Sequence, residues 1–89
     1  MDRIALIEQA LATLSPHALS IRDDSHKHAG HDGARDGRGH FSIAIVASGF
    51  EGLTALKRHQ LVYKALGGLL ETDIHAVAIQ AKTPAEADR

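Results

Sequence analysis

Seven histidines and no cysteine make up the metal-ligand inventory of this 89-residue chain, and three of the histidines, His26, His28 and His31, fall in one glycine-rich stretch. Imidazole suits first-row transition metals, whereas soft centres and iron-sulfur clusters are ordinarily held by thiolates. A chain with this inventory would need borrowed sulfur to take part in a cluster. The plain alternative for the three side chains is a solvated His-rich loop that picks up stray divalent metal weakly.

A second constellation is Gly49-Phe50-Glu51-Gly52 followed by Lys57, Arg58 and Lys64. The glycines match the GxxG spacing with which KH domains clamp a sugar-phosphate backbone, and the basic residues lie on the helix that follows. Glu51 inside the motif repels phosphate, and only Phe41, Phe50 and Tyr63 are available for base stacking. The simpler alternative is a tight strand-to-helix turn. A formal net charge of -1 gives no global basic field, so a nucleic-acid role would rest on this local patch. No Ser or Cys nucleophile motif appears, and no pair of acids is placed on regular elements for proton transfer. Asp23 and Asp24 sit at a strand end, where they organise a turn. The chain reads as a non-enzymatic protein.

Positioning these residues requires a framework. Asp2 caps a helix to Leu14, with Ile4, Ile7, Leu11 and Leu14 on one face and Ser15-Pro16 as the stop. Ala18 to Arg22 is a short strand with Leu19 and Ile21 in phase. Asp23 to Gly39 is a loop too polar to supply core, and its stretch from 25 to 39 is expected to be flexible. His40 to Val46 is a second strand, antiparallel to the first, with Phe41, Ile43 and Ile45 on one face. His17 and His40 read as loop and strand-edge residues. Thr54 caps a second helix whose stripe is Leu56, Tyr63, Leu66 and Leu70, flanked by Val62 and Leu69, with Gly67-Gly68 loosening its last turns. Arg58-His59 also reads as serving the fold or a partner surface, with His59 falling beside that stripe. Ile74 to Lys82 is a third strand, parallel to the second by a crossover. His75 is in phase with Val77 and Ile79, which predicts a partly buried histidine, with a ligand role as the alternative. Thr83-Pro84-Ala85-Glu86 forms a capping box that starts a terminal helical turn.

The order α-β-β-α-β-α predicts one α+β domain over residues 1–89, a three-stranded mixed sheet covered by helices. Met1-Asp2-Arg3 lacks the basic start and apolar run of a signal peptide, and no stretch approaches the roughly 20 apolar residues of a membrane helix. The expectation is a cytoplasmic protein with no membrane role.

Asp23-Asp24-Ser25-His26-Lys27-His28 before the loop, His40-Phe41 opening a strand, Phe50-Glu51-Gly52, Arg58-His59-Gln60-Leu61-Val62-Tyr63 and Ile74-His75-Ala76 before Thr83-Pro84 together resemble the BolA family over nearly the whole chain. The resemblance implies a class II KH-like fold and a heterodimer with a monothiol glutaredoxin that handles 2Fe-2S clusters. It implies His28 and His75 as ligands, with His26 and His31 as alternates to His28. Two histidines can replace two cysteines on one iron, as in Rieske-type centres. The other donors would then be the glutaredoxin cysteine and its glutathione, and the chain alone would hold no cluster. BolA relatives are also described as transcriptional regulators, so DNA is the rival partner, reached through Gly49, Gly52, Lys57, Arg58 and Lys64.

Overall fold

A computed structural model describes residues 2–25 and 39–88. Helix α1 (Arg3–Leu11) starts where the Asp2 carboxylate accepts the Ile4 amide at 3.0 Å. It tightens into a 3-10 turn over Ala12–Leu14, earlier than the expected helical end, and stops at Ser15, whose φ of 50° is left-handed. Strands β1 (Ala18–Asp23) and β2 (Gly39–Val46) pair antiparallel, from Ala18↔Val46 to Asp23↔Phe41. The Phe50 side chain anchors a 3-10 turn (Ser48–Phe50), and helix α2 (Ala55–Leu66) follows, capped by the Thr54 hydroxyl on the Lys57 amide.

The expected single central helix is two helices. Gly67 adopts φ 53°, a conformation L-residues rarely take, and α2 stops there; a short α3 (Leu69–Thr72) resumes beyond it. Strand β3 (Ile74–Lys82) runs parallel to β2, and α4 (Pro84–Ala87) closes the fold with both halves of the Thr83/Glu86 capping box formed. Sheet order is β1-β2-β3, so β2 is central.

Phe41, Ile43 and Ile45 of β2 are buried against Ile7 and Leu11 of α1 and Val62 and Leu66 of α2. Each such side chain removed from water contributes about 1.5–3 kcal/mol before entropy is counted. The stripe on α2 is rotated from the expected one: Leu61, Val62, Ala65 and Leu66 face the core, while Leu56 and Tyr63 are 67% and 40% exposed. Both stripes satisfy helical spacing. The observed one also turns Arg58, one turn before Val62, toward backbone carbonyls described below.

The opposite face of the sheet carries small and polar side chains. Ser20, Arg22, Ser42, Ala44, Ala78 and Gln80 line a shallow trough of about 280 Å³ there.

Candidate metal-ligand site and basic surface

The β2/β3 pairing contains one irregularity, and it falls at a candidate ligand. Gly39 is opposite Ile74 and His40 is opposite Ala76, so His75 is an extra residue on β3. Such a β-bulge breaks the two-residue alternation and re-aims the side chains around it. Ile74 takes the core position at 1% exposure, Val77 also packs on the core, and His75 stands exposed. The expectation of a partly buried His75 in phase with Val77 is thereby corrected. Strict alternation cannot bury two residues three positions apart, and the bulge can.

The bulge brings the His75 ring to His40, with centroids 5.1 Å apart and planes tilted by 52°. His40 is not a strand-edge residue. It lies on the central strand, nine-tenths buried, with its Nε2 out of solvent. Its backbone is tied on both sides: the amide donates to Ser25 Oγ at 3.0 Å, and the carbonyl accepts the Asp24 amide at 2.7 Å.

The acids beside it organise the strand end. Asp23 accepts the Ser25 amide at 2.9 Å, a local turn of the kind short acidic side chains favour. The largely buried Asp24 carboxylate takes Arg22 Nε at 2.6 Å and a short hydrogen bond from the Ser42 hydroxyl. That contact raises the Arg22 guanidinium further above its already high value, through the hydrogen bond first and the charge of Asp24 second.

Ser25 and Gly39 are the two roots of the histidine-bearing loop. Gly39 donates its amide to Asp73 O at 2.9 Å and sits opposite Ile74, so both roots stand at the end of the sheet where β3 begins. His26, His28 and His31, and most of the stretch expected to be flexible, lie outside the described residues. Among the described residues no group of three or more His, Asp or Glu side chains is placed to hold a metal ion. Those residues offer one exposed imidazole, that of His75, beside the loop roots.

The GxxG turn is built differently from a phosphate clamp. The amides of Phe50, Glu51 and Leu53 donate to Ala47, Ser48 and Phe50 carbonyls within the turn. The Phe50 ring is 1% exposed and belongs to the core, and Gly52 is needed for its φ of 77°. Gly49 is open: a β-carbon there would meet nothing within 4 Å among the described residues. Lys57 and Lys64 are exposed and, with Leu53, Gln60 and Leu61, border a shallow groove of about 300 Å³.

Arg58 serves the fold instead of that surface. Its guanidinium donates to Leu53 O at 3.0 Å and Ala81 O at 3.2 Å, and it grips both Glu86 oxygens at 2.6 and 3.3 Å, with only 14% of its side chain exposed. The same contact, followed by the Thr83 amide, holds the Glu86 carboxyl well below its ordinary value, at about 2. Arg58 thus links α2, β3 and α4.

A central β-strand paired antiparallel on one side and parallel on the other, with helices on one face and a bulged histidine at the loop roots, defines a small α+β domain. The chain belongs to the BolA family: the model of the family described as "BolA-like protein" matches residues 10–86. Its structure superimposes on that of "BolA1 from Arabidopsis thaliana" with a TM-score of 0.81 at 39% identity, covering 97% of this chain and 96% of that one. The Arabidopsis thaliana relative "Protein BOLA1, chloroplastic" is 45% identical over 82 residues, 89% of this chain and 51% of its own length. "DNA-binding transcriptional regulator BolA" of Haemophilus influenzae is 35% identical over 82 residues, 91% of this chain and 77% of its own length. The chain spans about half the length of the BolA1 relatives it matches. The Arabidopsis protein's name assigns it to the chloroplast, a different compartment from the cytoplasmic one expected above. Among the described residues no helix is long and apolar enough to cross a membrane.

Proposed function

We propose that this chain is a non-enzymatic adaptor that pairs with a monothiol glutaredoxin and shares a 2Fe-2S cluster with it. The observation that carries this reading is the bulge at His75. It exposes one imidazole at the roots of a loop that holds three more. His75 donates one nitrogen and His28 the second, with His26 and His31 as alternates. The sulfur donors come from the glutaredoxin cysteine and its glutathione, as the absence of cysteine in this chain requires. The experiment is to mix the purified chain with a cluster-loaded monothiol glutaredoxin. A stable heterodimer with an altered visible spectrum supports the reading; co-elution of neither protein nor colour overturns it.

DNA is the second reading, favoured by the name of the Haemophilus influenzae relative and by exposed Lys57 and Lys64. The contacts of Arg58 and the burial of Phe50 leave it a thin surface: no stacking ring at the turn and two lysines on α2. Salt-dependent DNA binding that is lost in the Lys57→Glu, Lys64→Glu double variant would favour it.

A further inference from the structure

The His40–His75 contact deepens the cluster reading, on which the following inference rests. Two facts separate the roles of the two imidazoles. His75 is exposed at a bulge, as the extra residue on β3. His40 is nine-tenths buried in the central strand, and its amide and carbonyl are both fixed by the loop root, at Ser25 and Asp24. A ring whose Nε2 is out of solvent is badly placed to donate to an incoming group, yet it gives an exposed neighbour a fixed surface to lie on. A surface histidine with no such support exchanges freely among its staggered rotamers, and each rotamer aims its nitrogens elsewhere. Contact with a buried ring selects among them.

We infer that His40 is a positioning residue for His75: its ring, pinned on β2 at the loop root, holds the exposed imidazole in the orientation from which it donates to the shared cluster. The support is the packing of one ring on another. Residues that orient metal-ligating histidines commonly change metal affinity by about 10–100-fold when removed, and a packing support is expected at the low end of that range. The contact also places the support beside Ser25 and Gly39, the described residues that flank the histidine-bearing segment.

The test uses His40→Val, which removes the ring while keeping a strand-forming apolar residue, and His40→Phe, which keeps a ring of similar size; His40→Thr replaces the first if it does not fold. The first readout is the chain alone, by NMR. The native chain and His40→Phe are expected to show one dominant His75 χ1 rotamer and contacts between the two rings, and His40→Val to show rotamer averaging at His75 with an unchanged sheet. The second readout is the glutaredoxin complex: His40→Val is expected to lose the cluster to a chelator roughly tenfold faster, in line with the low end of the range for orienting residues, and His40→Phe to stay near native. Equal His75 averaging in the native chain and His40→Val overturns the inference, as does a His40→Phe that behaves like His40→Val. His75→Ala run in parallel separates the two levels. A lost cluster spectrum in His75→Ala beside a native rate of cluster loss to the chelator in His40→Val overturns the positioning role alone, whereas an unaltered spectrum in His75→Ala overturns the cluster reading and the positioning role together.

Discussion

His75 stands outside the alternation of β3, and its ring meets that of His40 at 5.1 Å because one extra residue is accommodated opposite the Gly39–His40 step. The bulge thereby separates the two neighbours on β3 into a core residue and a site residue. Ile74→Ala is expected to cost about 2–5 kcal/mol, as for other buried aliphatic side chains. His75→Ala is expected to stay within about 0.5 kcal/mol of the native chain, as for an exposed position. Urea denaturation measures both, and a larger loss at His75 than at Ile74 would contradict the bulge.

The same step constrains Gly39. A β-carbon there would lie 2.7 Å from Phe41 Cε2 and 2.9 Å from Ser25 Oγ, and the Phe41 ring is buried and cannot swing aside. Gly39→Ala is therefore expected to destabilise the chain by about 1–3 kcal/mol, in the range of overpacked cores. A denaturation midpoint equal to native would show that the loop root gives way without cost.

Phe50 distinguishes a core turn from a stacking platform. At 1% exposure it fills the space beneath the turn between β2 and α2. Phe50→Ala is expected to lose about 3–5 kcal/mol of stability, the cost of a deleted buried aromatic. A variant as stable as native would return the ring to the candidate nucleic-acid surface.

The Arg58–Glu86 contact gives the fold a pH dependence with a defined sign. The Glu86 carboxyl is depressed to about 2 by Arg58 and the Thr83 amide, below an ordinary value of 4.5. A depressed carboxyl stabilises the folded state above its unfolded value, and that contribution disappears as pH falls through the folded one. The thermal midpoint is expected to drop between about pH 4.5 and 2, and Glu86→Gln is expected to flatten part of that drop. Identical pH profiles for the two proteins would remove Glu86 as a source of the dependence.

The element order and the parallel third strand were legible because Phe41, Ile43 and Ile45 alternate cleanly and the caps Asp2, Thr54 and Thr83 mark helix starts. The site was less legible, for two physical reasons. Strict alternation assigned His75 to the face of Val77, yet Ile74 and Val77, both apolar and three residues apart, already signalled a bulge that releases the residues between them. His40 was missed because its partner comes from another strand, and a neighbour across a sheet leaves no mark in local spacing. On α2, the stripes through Leu56–Tyr63 and through Val62–Leu66 were both consistent with helical period. The structure selects the second, which also places Arg58 over the Leu53 and Ala81 carbonyls.

The proposed shared-cluster function turns on one side chain, and circular dichroism in the visible region reads it directly. A cluster-loaded monothiol glutaredoxin titrated with the native chain is expected to change its visible spectrum to one that belongs to the heterodimer. With His75→Ala the glutaredoxin's own spectrum should persist throughout the titration, while the variant keeps its native melting transition. A His75→Ala titration that reproduces the native change would mean His75 is not a ligand, and would contradict the shared-cluster function.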